Sequence, residues 1–202
     1  MTSIITGDII NSRNTDSSVW LPELKKVLQE VGESPTVWEI YRGDSFQVEV
    51  AEPEQALEVA FKLKAAVKTI KKLDVRMSIG LGDKSYSATS ITESNGSAFA
   101  NSGDGFEQLQ RARQTLMITS DFPDFDEEMN LYLRLLLIAM DNWTAKSAEY
   151  VTLNLQQEMT QEEVAKKLNI GQSAVSERHQ RSCFNELKEV DARFRKQLQS
   201  IL

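Results

Sequence analysis

Tyr41-Arg42-Gly43-Asp44-Ser45-Phe46-Gln47-Val48-Glu49-Val50 alternates apolar and polar side chains, with Phe46, Val48 and Val50 on one face and Ser45, Gln47 and Glu49 on the other. Period two is the pattern of a strand with one buried face. The interruption at Gly43-Asp44 supplies turn residues, so Val37 to Val50 is predicted to be a hairpin. Upstream, Ser3 to Ile10 is short and β-branched, and it holds Gly7-Asp8 near its end, as a buried strand running into a turn does. Downstream, Val75 to Gly82 sets Val75, Met77, Ile79 and Leu81 against Arg76 and Ser78, a further strand.

Helical spacing fills the gaps. Leu21, Leu24, Val27, Leu28 and Val31 recur at three and four after Asp16, Ser17 and Ser18, any of which can cap a helix start. Pro53 opens a second helix in which Leu57, Ala60, Phe61, Val67 and Ile70 share a face, with the lysines and glutamates between them predicted to line the solvent side. A third helix from about Ala98 to Arg113 and a strand from about Leu116 to Thr119 complete the set. The order β-α-β-β-α-β with an α-β extension predicts an α+β fold, the split arrangement of ferredoxin-like and palm domains.

The 202 residues carry 30 acids against 23 bases, which excludes a uniformly basic nucleic-acid coat. Residues 1–144 hold 14 bases and 22 acids, and residues 145–202 hold 9 bases and 8 acids, so the acidity belongs to the front. One cysteine, Cys183, and one histidine, His179, cannot build an internal disulfide or a structural zinc site, which points to the reducing cytoplasm. The longest apolar run, Leu131 to Met140, contains Arg134 and is half a membrane span. Asp121 to Glu128 holds five acids around Pro123 and reads as a boundary segment or a helix start. The expected division is residues 1–120 as a palm domain, 121–144 as a linker and connecting helix, and 145–202 as a helical module.

In the expected sheet, the first strand lies beside the hairpin, which brings Asp8 and Asp44 to one end. Two hard carboxylates suit a magnesium or manganese ion that faces nucleotide phosphates. The same two residues also suit plain turns, since Asp is a common turn former. Arg42 and Arg76 are candidate phosphate contacts because a guanidinium offers a planar fork, and Arg76 equally fits a surface ion pair.

Gly7-Asp8-Ile9-Ile10-Asn11-Ser12, Tyr41 to Gln47, and Arg76 to Gly82 resemble, in order and spacing, the palm core of class III nucleotidyl cyclases and diguanylate cyclases. The chain as a whole resembles the SatD-like family of small bacterial proteins. The cyclase resemblance implies that Asp8 and Asp44 hold two metal ions, with the Ile9 carbonyl as a further ligand. It also implies that Arg111 steadies charge on the transferring phosphate. Where that pattern carries an Asn, this chain has Glu107, a carboxylate that repels phosphate oxygens.

Met159 to Arg178 reads as a helix-turn-helix. Thr160 and Glu163 stand at capping-box spacing, Ala165 is small where two helices cross, Leu168 and Ile170 bury the turn, and Val175 anchors the second helix. The stretch resembles the helix-turn-helix of bacterial regulators and sigma factors. That resemblance places Gln172, Ser173, Ser176, Glu177 and Gln180 toward DNA bases, with Arg178 and Arg181 near phosphates. The module nets only +1, so protein docking stands beside DNA contact as an alternative. His179 reads as a helix-surface residue and Cys183 as part of a helix face. Phe184, Leu187, Val190, Phe194, Leu198 and Ile201 continue the helical spacing, which predicts one helix from the second helix of the motif to the chain end. That helix is expected to pack on Leu131 to Met140 or on a second copy, giving a homodimer. Three functions follow as expectations. The first is a regulator whose palm domain binds a nucleotide and metal and whose helical module binds DNA. The second is a metal-dependent nucleotidyl cyclase or transferase, and the third a protein-interaction scaffold with a vestigial palm.

Overall fold

The computed structural model describes residues 1–201, as an α+β fold of one five-stranded mixed sheet and eight α-helices. Strands β1 (Thr2–Ile10), β2 (Trp38–Tyr41), β3 (Ser45–Val50), β4 (Asp74–Gly82) and β5 (Leu116–Thr119) lie in the order β2-β3-β1-β4-β5. β1 runs antiparallel to both β3 and β4, with Asp8 opposite Ser45 on one side and Arg76 on the other. The hairpin is formed as its alternation requires, β2 pairing with β3 antiparallel and Tyr41 standing opposite Ser45.

Helix α1 (Ser17–Val31) starts at Asp16, whose side chain accepts from the Ser18 amide. With α2 (Ala56–Lys68) it covers the face of the sheet that carries Phe46, Val48, Val50, Val75, Met77 and Ile79, all buried. Helix α3 (Ser97–Ala112) lies on the other face against β1, β4 and β5. It approaches backbone to backbone at Gly80, where a Cβ would sit 2.2 Å from the Ala98 carbonyl oxygen and the Ser102 nitrogen, so only glycine fits.

The acidic stretch after β5 is a helix start. α4 (Pro123–Met140) begins at its proline, and its Asn130 side chain bonds the Ile118 amide and carbonyl at 2.9 and 2.7 Å, closing the edge of β5. Helices α5 (Ala145–Gln156), α6 (Gln161–Leu168), α7 (Gln172–Ser182) and α8 (Phe184–Leu198) follow. α5 packs on α2 and α7, and α8 returns to α4, with Phe125 and Phe194 rings 6.0 Å apart. One buried cluster runs from Ile5 to Leu198 through the strands and every helix but α3, whose Ala98 packs with Ile4 and Ile91 in a second, small cluster. No helix among the described residues is long and apolar enough to cross a membrane.

Two expectations change. The helix predicted to run from the motif to the chain end breaks at Cys183, whose φ of 51° is left-handed. The Trp143 indole takes the Ser182 carbonyl at 3.0 Å, and Phe184 turns its ring edge-on to Tyr150. The break lets the apolar stripe of α8 fold back onto α4 and α2 instead of running into solvent. Cys183 is therefore a junction between helices. His179 is half-buried, 3.0 Å from the Tyr150 hydroxyl, and serves packing rather than the surface.

The polar side of α2 also differs, because α5 packs where solvent was expected. Lys64 is fully buried, and its ammonium donates to Asp74 and Asp141 at 2.8 Å and to the Thr115 hydroxyl at 3.0 Å. Lys68 is 7% exposed and donates to Asp74 and to the Asp141 carbonyl, both at 2.8 Å. The ammonium thus ties α2 to the starts of β4 and β5 and to the α4–α5 loop. Removing it strands carboxylates that were placed for it. Lys64→Met is expected to lower unfolding stability by about 3 kcal/mol in urea titration, with the secondary structure retained.

Candidate functional site

The end of β1 gathers the polar groups that the sequence singled out. Asp8 projects from β1 between β3 and β4, and the Arg76 guanidinium grips both of its oxygens, Nε to Oδ1 at 2.9 Å and Nη2 to Oδ2 at 2.5 Å. Asp44 is held beside it twice. Its carbonyl accepts from the Ile9 amide at 3.1 Å, and its carboxylate accepts from the Ser12 hydroxyl. Arg76 is held above the usual arginine value chiefly by its bond to Asp8, with the charges of Asp8 and Asp44 adding to the effect. Burial raises the neighbouring Tyr41 phenol, Arg42 opposing and Asp8 adding to the rise.

The hairpin tip stores strain at this site. Arg42 and Gly43 have φ of 52° and 92°, and left-handed geometry is routine for Gly43 but costly for Arg42. The cost places an exposed guanidinium at the tip beside Asp44. Ile9 is buried in the strand between Asp8 and Ile10. Arg111 and Glu107 are exposed on α3, and neither bonds to the Asp8–Asp44 group among the described residues.

The chemistry available is that of two hard carboxylates, one of them already neutralised by a fork. A magnesium-type ion accepts one or two protein carboxylates and completes its shell with water and phosphate, so the donor set fits in kind. Among the described residues no group of three or more His, Cys, Asp or Glu side chains is arranged to hold a metal.

The helical residues form a second candidate surface. α6 and α7 are joined by Asn169, Ile170 and Gly171, with Asn169 left-handed at φ 51°. Thr160 and Glu163 make the full capping box, each side chain meeting the other's backbone. Val164 and Val175 are buried, and α7 packs on both α6 and α5. Gln172, Ser173, Glu177, Gln180 and Arg181 are exposed along α7, and Ser176 is half-exposed among them. Arg178 turns inward instead, 13% exposed and bonded to Glu149 of α5 at 2.6 Å, while Arg181 pairs with Glu177 on its own helix at 2.8 Å.

Ser12 and the direct grip of Arg76 on Asp8 were not legible in the sequence beyond a possible ion pair. The register is the signal that finds the second, since Asp8 and Arg76 stand opposite once β1 and β4 pair antiparallel. Scanned against models of known protein families the chain matches none, and no curated protein matches it.

The Arg76–Asp8 pair is partly exposed, which limits its contribution. Arg76→Gln is expected to cost about 1 kcal/mol, and Arg42→Gly to gain about 0.5 kcal/mol by relieving the left-handed position, both read from urea midpoints.

Proposed function

We propose that this chain is a regulatory protein of the SatD-like kind, acting as a cytoplasmic homodimer, in which a palm-like sheet binds a nucleotide and a helix-turn-helix formed by α6 and α7 contacts DNA. One observation carries the reading: α7 follows a three-residue turn and leaves Gln172, Ser173, Ser176, Glu177, Gln180 and Arg181 open along one side while Val175 anchors the other. A helix held this way at its rear and free at its front suits insertion into a major groove. Glutamine and serine side chains offer the donors and acceptors that base edges read. Arg181 is the phosphate contact on this face, and Glu177 holds its guanidinium until a phosphate replaces that carboxylate. Arg178 positions α7 on α5.

At the other end, a divalent ion would be held by Asp8 and Asp44 with the Ile9 carbonyl, and it would neutralise the phosphates of a bound nucleotide. Arg76 releases Asp8 for that ion and turns to the phosphates together with Arg42. The exposed stripe Leu131, Leu135 and Ile138 of α4 supports the homodimer, since it recurs at four and three on one helix face. A dimer presents two copies of α7 to paired half-sites.

The test is fluorescence anisotropy of a labelled duplex from the region upstream of the protein's own reading frame, across a salt series. Binding is expected to fall steeply with salt and to weaken about tenfold in Gln172→Ala/Gln180→Ala at unchanged melting temperature. Salt-independent association with a protein in place of DNA contradicts the reading. Release of pyrophosphate from a nucleoside triphosphate with manganese, lost in Asp44→Asn, would instead make the protein a nucleotidyl transferase or cyclase.

A further inference from the structure

A groove of about 740 Å³ opens between the end of β1, the turn joining α2 to β4, and the head of α5. Five cations line it, Lys68, Lys71, Lys72, Lys146 and Arg181, against one acid, Asp74. That acid is spent, since Asp74 already accepts from the buried Lys64 and Lys68. Lys71, Lys72 and Lys146 are exposed and enter no ion pair among the described residues, and Arg181 holds only its exposed helical neighbour Glu177. A chain of net charge −7 therefore concentrates unpaired positive charge in one concave place. The head of α5 adds to it, because Ala145 and Lys146 begin a helix with no acid in its first turn. Ile10 and Ile70 supply an apolar floor below the cationic rim.

We propose that this groove binds a small phosphorylated ligand of nucleotide size, its phosphates on Lys71, Lys72 and Lys146 and its ring on Ile10 and Ile70. The volume suits such a ligand, and ammonium groups around an apolar floor suit a molecule with one charged and one flat end. A duplex backbone uses the rim alone and leaves the floor uncovered, which favours the small ligand. The site needs neither Asp8 nor Asp44 and therefore no metal, and it stands whether or not α7 contacts DNA. It is also joined to α7. Thr144, Lys146 and Arg181 line a second, smaller cleft with Glu177 and Arg178, so a phosphate that draws Arg181 away from Glu177 changes the charge on the open face of that helix.

The experiment is calorimetric titration of ADP, and separately of pyrophosphate, into the full chain at low salt, in EDTA and in parallel with magnesium. ADP in EDTA is expected to saturate, and to weaken about tenfold in Lys71→Ala/Lys72→Ala and in Lys146→Ala. Pyrophosphate, which lacks the ring, is expected to bind about tenfold more weakly. These lysines are exposed, so melting temperatures should not move. Absence of saturation at millimolar ADP overturns the proposal, as does saturation indifferent to the lysine substitutions or pyrophosphate binding as tightly as ADP. Binding that needs a divalent ion and is lost in Asp8→Asn/Asp44→Asn overturns the groove and leaves the Asp8–Asp44 reading standing. Lysine substitutions that weaken duplex DNA binding without touching ADP make the groove a backbone contact and overturn it as well.

Discussion

An ammonium group buried away from water is tolerated only if its protons find acceptors and opposite charge stands among those acceptors. Lys64 meets that condition with Asp74, Asp141 and Thr115, three residues from three separate places in the chain. Asp74 begins β4, Thr115 precedes β5, and Asp141 ends α4, so satisfying one charge fixes where the sheet, its edge and the helical segment meet. Lys68 repeats the tie from the next turn of α2. The orientation of α5, and through it of α7, follows from this junction, because α5 packs on the helix that carries both lysines.

The sheet was legible because its signals are local. Period two in Ser45 to Val50 and in Val75 to Gly82 tells which side chains are buried, and Gly43 marks the turn between β2 and β3. The cap of α6 was legible for the same reason, since Thr160 and Glu163 act within a few residues of themselves. The burial of Lys64 and Lys68 was not legible. A lysine on the polar side of an amphipathic helix reads as solvated until a second helix covers that side, and what covers it here lies some eighty residues away. The break at Cys183 was hidden likewise. No Gly or Pro marks it, and the left-handed residue is imposed by Trp143 and Tyr150 packing on either side of the junction.

The candidate sites divide along the same line. Asp8 and Asp44 were brought together by topology, as a strand beside a hairpin requires, but the Arg76 fork on Asp8 is a consequence of register, which composition does not reveal. Arg178 shows the reverse case, an arginine on an expected contact helix whose charge is consumed internally by Glu149. Free cations gather elsewhere, Lys71 and Lys72 on the turn after α2 and Lys146 at the head of α5, the two segments that the Lys64 junction holds side by side. The basic groove is thus a product of the same constraint that sets the fold.

That constraint makes the sheet and the helical segment one cooperative body, and native-state hydrogen exchange measures it directly. The account predicts that amides of β1 and β4 and amides of α5 and α7 share one largest opening free energy, and that Lys64→Met lowers α5 and α7 below the sheet. Exchange of α5 and α7 through a separate, lower-energy opening in the unsubstituted protein, unchanged by Lys64→Met, would contradict it.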